Sequence, residues 1–220
     1  MHGFAIATGY IGAALSVGMV IPQLVRTLRH RGLGGVSAMS WLITAAACFS
    51  WLLYGVKGHV WPQVPGNALM IPGEAVIVLI TPARLTIAQR AGLLAAAAGT
   101  LILVTAVISS DDLGYLAFAL SLAASAPQVV TSLLRRGAGR SAVSIPAWLL
   151  RGGAQLFWLY YGLVMHNGPI VVAAVVTLVS ATAVITTESA ALISTRLSRR
   201  LADPLQADEQ AAVVEVVGQE

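Results

Sequence analysis

Charge is scarce in this sequence. Only 10% of its 220 residues are Asp, Glu, Lys or Arg, against roughly 25% in ordinary soluble domains. With 57% of the residues hydrophobic, that scarcity argues against a soluble globular domain and puts the chain in the membrane class. Cysteine is nearly absent as well. Cys48 stands alone inside an apolar run, so no disulfide framework within the chain can form, and redox chemistry is not expected. Enzyme signatures are missing: there is no Gly-x-x-x-x-Gly-Lys, His-Glu-x-x-His, Cys-x-x-Cys or Gly-x-Ser-x-Gly. The four histidines do not gather on one helix. The reading is therefore no enzyme, no metal and no cofactor. The formal net charge of +4 does not point to nucleic acid, because the basic residues sit in short clusters between apolar runs, which is a topology signal.

Those runs are long. A helical span needs ~20 mostly apolar residues, and seven segments qualify: about 4–25, 38–56, 64–81, 92–109, 113–134, 145–165 and 168–193. The third is interrupted by Pro65, Pro72 and Glu74. Met1-His2-Gly3 lacks a basic n-region, so the first run is read as a span and not a cleaved leader. Residues 195–220 are polar and read as a loosely ordered tail. With the N-terminus outside, 11 of the 13 Lys and Arg fall in inside loops or the tail; Lys57 falls outside and Arg151 within span six. This positive-inside bias supports seven spans, with the N-terminus out and the C-terminus cytoplasmic.

The chain also repeats itself. At an offset of 105, Gly9, Tyr10, Ser16, Pro22, Gln23 and Arg31 match Gly114, Tyr115, Ser121, Pro127, Gln128 and Arg136. At an offset of 107, Trp41, Trp51, Tyr54, Gly55, His59 and Pro62 match Trp148, Trp158, Tyr161, Gly162, His166 and Pro169. Each unit holds three spans, so it enters and leaves on opposite faces of the membrane. The unmatched fourth span restores orientation, and the two units run parallel about an axis along the membrane normal. The expected fold is thus an all-α integral membrane protein of seven transmembrane helices as 3+1+3. Its divisions are a first triple-helix bundle (1–83), a linker helix (84–112), a second bundle (113–194) and a polar tail (195–220).

Proline removes a helix donor and clashes with the carbonyl four residues back, so Pro22 and Pro127 read as kinks, with Gln23 and Gln128 beside the freed backbone. They serve either as hinges or as passive bends. Asn67 inside an apolar span needs a partner, on a polar path or in a packing hydrogen bond. Trp51 and Trp158 are read as site or interfacial-belt residues, Tyr54 and Tyr161 as outer gate or belt, and Trp41 and Trp148 as belt. His59 and His166 read as plain loop residues. Glu74 and Arg151 are charges within spans, each ~10 Å from the inner boundary at ~1.5 Å per residue. They are expected to pair across the units as an inner latch; the bland alternatives are a structural ion pair or a snorkelling Arg.

Two Pro-Gln motifs, each followed by an Arg-Gly loop, a Val-Ser and a Trp-x-x-Tyr-Gly, resemble the PQ-loop superfamily. The 3+1+3 layout over about 4–190 resembles the SWEET sugar transporters, whose half-size bacterial relatives are the SemiSWEETs. This resemblance implies a mid-membrane sugar site built from a Trp and an Asn sixteen residues on, here Trp51 and Asn67. In the second unit Trp158 matches but Ala174 stands in the place of the Asn, which leaves a lopsided site that Gln155 is expected to complete. The resemblance also implies a hinge proline in the second helix of a unit, matched by Pro146 and replaced by Met39 in the first. It implies facilitative, alternating-access movement of a mono- or disaccharide across a lipid bilayer, a bacterial plasma membrane on this reading. Association into a homo-oligomer is left open. The rivals are a proton-coupled amino-acid carrier of the cystinosin type, with Glu74 as the proton site, and a non-transporting membrane receptor or scaffold.

Overall fold

The computed structural model describes residues 2–29, 38–81, 84–134 and 145–217; side chains are described outside 20–29, 38, 127–128, 131–133 and 195–217. Among these residues the fold is all-α. Seven helices follow in order: α1 (His2–Arg29), α2 (Ala38–Lys57), α3 (Gln63–Ile80), α4 (Ile87–Val107), α5 (Ser110–Leu134), α6 (Ile145–Val164) and α7 (Gly168–Val217). Four stretches within the described residues, Met39–Lys57, Gln63–Ile80, Ile87–Val107 and Gly168–Ser194, are long and apolar enough on their own to cross a membrane. Many large apolar side chains point outward, among them Leu69, Leu103, Val107 and Leu149, as a lipid-facing surface requires. Hydroxyls inside the helices bond their own preceding turn: Thr44 to Ser40 O, Ser50 to Ala46 O, Thr105 to Leu101 O, Ser180 to Val176 O. That keeps polar groups satisfied where water is absent.

The helix packing shows the duplication. Within the first unit α3 lies between α1 and α2, and within the second α7 lies between α5 and α6. The units meet through α1 against α6 and α2 against α5. The order around the molecule is α1-α3-α2-α5-α7-α6 and back to α1, so repeat-equivalent helices face each other across a near-twofold axis.

Among the described residues the linker α4 packs chiefly on α2 and α3, and cations fasten it at both ends. At its start, Thr86 and Gln89 form a capping box. There too Arg90 Nη1 donates to the carbonyls of Val78 and Thr81, where α3 ends. At its finish, Lys57 Nζ, from the last turn of α2, donates to the carbonyls of Thr105 and Ile108. Both place positive charge where helix carbonyls are orphaned.

The matched histidines have a structural reason. His59 and His166 carry left-handed backbone, φ 53° and 51°. Around His59, Val60 N donates to Gly55 O and His59 N to Val56 O; around His166, Asn167 N donates to Gly162 O and His166 N to Leu163 O. This is the Schellman ending of a helix, and histidine is among the non-glycine residues enriched there. They are helix caps, then, not plain loop residues.

Two further expectations change. The polar tail is helical where it is described: α7 is 50 residues long, ~75 Å at ~1.5 Å per residue, and runs through Val217. Trp148 is no belt residue; it is buried with Ala181 and Val184.

Candidate functional site

Below, the end holding residues 58–62 and 165–167 is the turn end, and the opposite end, where α3 finishes and Arg90 stands in the first turn of α4, is the arginine end. The turn end is closed by symmetric contacts within and between the units. A Cβ on Gly9 of α1 would lie 2.8 Å from Pro62 Cβ and 2.9 Å from the Tyr161 ring; on Gly114 of α5 it would lie 2.6 Å from Pro169 Cβ and 2.9 Å from the Tyr54 ring. Real Cβ atoms do not come so near, so α1 meets α6 and the start of α3, and α5 meets α2 and α7, this closely only because both positions are glycine. Tyr54 and Tyr161 are buried in this seal. Each holds a tryptophan edge-on: Trp51 at 5.5 Å from Tyr54 and Trp158 at 5.8 Å from Tyr161.

The halves of the seal differ in one bond. Tyr54 Oη donates to Asn167 Oδ1 at 2.6 Å, and Asn167 Oδ1 also caps α7 by accepting from Ile170 N. Asn167 matches Val60 in the first unit, so Tyr161 has no equivalent acceptor.

Beneath the seal lie the two tryptophans. Trp158 is 6% exposed and sits on Gly12 of α1, whose Cβ would meet its Nε1 at 3.0 Å. Trp51 Nε1 donates to Ser121 Oγ of α5 at 3.0 Å. Each indole therefore reaches across to the other unit. Asn67 is buried on α3, and its Nδ2 donates to both the carbonyl and Oε1 of Gln63, at 2.7 and 2.9 Å. Gln63, also buried, is absent from the expected site: it falls between Pro62 and Pro65, where turn residues mask the start of the helix. Aligning it with Ile170 exposes it. In the second unit Ile170 and Ala174 are packed in one apolar cluster with Ala13, Leu113, Trp158 and Tyr161.

Gln155 is partly buried on α6; the repeat aligns it with Cys48, whose thiol meets Glu74 in the first unit.

The expected latch is not formed. Glu74 is 1% exposed; Cys48 Sγ donates to its Oε1 at 3.2 Å, and its Oε2 has no hydrogen-bond partner. Arg151 instead lies over the Trp148 ring, 5.2 Å from its centroid, a cation–π contact. Each charge is occupied within its own unit, so in this conformation they do not pair. Glu188, near the arginine end of the apolar stretch of α7, is buried too.

Of the hinge candidates, Pro22-Gln23 and Pro127-Gln128 lie inside α1 and α5; their side chains are outside the described ones. Pro146 is the second described residue of α6; the residues before Ile145 lie outside the described ones. Pro72 does lie inside a helix, α3, and frees the carbonyl of Ala68.

Two three-helix units facing one another about an axis, with a linker on one flank, define a seven-helix membrane fold of the 3+1+3 class. A solved structure, that of a eukaryotic SWEET transporter, shares this fold: the TM-score is 0.70 over 86% of this chain and 96% of that one, at 14% sequence identity. No family model and no curated protein sequence matches the chain.

Proposed function

We propose that the chain is a membrane transporter that moves a small sugar by alternating access between its two bundles. The observation that carries this reading is the reciprocal seal at the turn end, Gly9–Pro62–Tyr161 and Gly114–Pro169–Tyr54, set directly above two indoles and a buried amide pair. Contacts that cross between the units, Gly9 on Tyr161 and Gly114 on Tyr54, above an amide pair made within one of them, are what a rocking gate needs. Flat indoles suit the C–H faces of a sugar, and amides donate and accept toward hydroxyls. The divisions at 1–83, 84–112 and 113–194 are the moving parts of this proposal, with Pro22, Pro127 and Pro72 as its bends. Movement is downhill, with the N-terminus outside.

The test is uptake of labelled mono- and disaccharides into liposomes carrying the purified protein. Saturable uptake lost in Trp51→Ala and Asn67→Ala supports the reading; no uptake above empty liposomes for any sugar overturns it. A second reading, proton-coupled carriage of an amino acid, is favoured by one observation, the buried Glu74 oxygen without a partner. Amino-acid uptake that a pH gradient drives, and that Glu74→Gln abolishes, would select it.

A further inference from the structure

Resting on the sugar reading above, we propose that the site is polar on one side only, that Gln63 is part of its polar side, and that its substrate is a sugar with one hydroxyl-bearing edge and one apolar edge, of the deoxyhexose kind. The repeat itself makes the comparison. Gln63 and Asn67 lie one turn apart on one face of α3. Their counterparts Ile170 and Ala174 lie the same way on α7, and α3 and α7 stand opposite each other in the ring of helices. Every polar group at these four positions thus belongs to the first unit. On the facing unit the same level is closed by Ile170, Ala174 and Trp158, none of which can accept a hydrogen bond from a hydroxyl.

The first unit's amides are arranged as one device. Both hydrogen bonds of Asn67 use Nδ2, one of them to Gln63 Oε1. That bond fixes the orientation of both amides and leaves Asn67 Oδ1 as an acceptor and Gln63 Nε2 as a donor, neither of which bonds another described residue. A donor and an acceptor held one turn apart match neighbouring hydroxyls on a sugar ring. A hydroxyl turned the other way would be pressed on alkyl and indole surface, where none of these three side chains can accept its proton. A buried polar group left unpaired is disfavoured by roughly tenfold or more, and a methyl in its place fits the apolar wall.

The experiment is competition in liposomes holding the full chain. Uptake of labelled D-glucose is challenged with unlabelled D-glucose or 6-deoxy-D-glucose over a concentration series. The deoxy sugar should compete at about tenfold lower concentration. Ala174→Asn, which restores an amide to the second unit, should bring the two sugars to near parity. Gln63→Leu should weaken both by a similar factor, because both use the polar edge. Equal competition in the unaltered protein overturns the inference and leaves the transporter reading standing. That measurement needs no variant, so it decides the matter even where Ala174→Asn fails to fold. A deoxy preference unchanged in a folded Ala174→Asn protein also overturns it. If no sugar enters at all, the sugar reading falls and takes this inference with it.

Discussion

At the scale of the residue, the molecule depends on a few positions where size or one atom decides. The Tyr54–Asn167 bond is one. A net hydrogen bond contributes about 1 kcal/mol, a factor of about five in an equilibrium. Tyr54→Phe should therefore open the turn end about fivefold more often. With Cys48 replaced by Ser and a cysteine introduced at Ser16, labelling by an impermeant maleimide from that side should speed up by that factor. Tyr161→Phe, which loses no such bond, should label like the parent. His59 and His166 give a second test. Left-handed backbone costs a β-branched residue roughly 1–2 kcal/mol, so His59→Val should lower the melting temperature in detergent, whereas His59→Gly should hold or raise it. Glu74 gives a third. Its unpartnered oxygen is a buried defect, so Glu74→Leu should stabilise the fold by about 1–3 kcal/mol; stability gained together with flux lost would show that the carboxyl is kept for function.

At the scale of the element, helix number and register were legible because apolar length and the repeat act over whole segments. The same signal failed where a side chain's direction matters. Cys48 and Glu74 are 26 residues apart on adjacent helices, and no spacing rule announces that their faces meet. Arg151 and Glu74 lie at matching depths, which suggested a pair, yet depth does not fix the angle around a helix, and a tryptophan one turn before Arg151 took its guanidinium. Trp148 looked like an interface residue because of its place near a helix end; burial depended on the neighbouring helix α7. Gln63 was hidden by turn residues that begin a helix instead of ending one. The element-scale prediction concerns α4. Arg90→Ala leaves the carbonyls of Val78 and Thr81 without their cation, and Lys57→Ala does the same for Thr105 and Ile108. Each should cost about 1–3 kcal/mol. The sites lie at opposite ends of a 21-residue helix, so the double variant should show the sum of the two losses. Hydrogen exchange should quicken at the end each variant frees.

At the scale of the whole molecule, the duplication predicts which connections tolerate restraint. His2 of α1 lies 3.4 Å, Nδ1 to Sδ, from Met165 at the end of α6, a contact between units at the turn end. Cysteines at those two positions, joined by a short bismaleimide in a Cys48→Ser background, should cut flux at least tenfold by holding the gate shut. A bridge within one unit, from α2 to α3, should leave it unchanged.

The doubly fastened linker carries a mechanical consequence. In the proposed rocking motion, with α4 held to α2 and α3, the first body would have four helices and the second three. On the chain between them, the carbonyl of Ile108 is gripped by Lys57, while Ser109 already engages α5, its Oγ donating to Asp112 Oδ2 and accepting from Asp112 N. Under that proposal, rotation of one body against the other would be concentrated in a joint one peptide wide, and the stiffness of that joint would set how far the pair can swing.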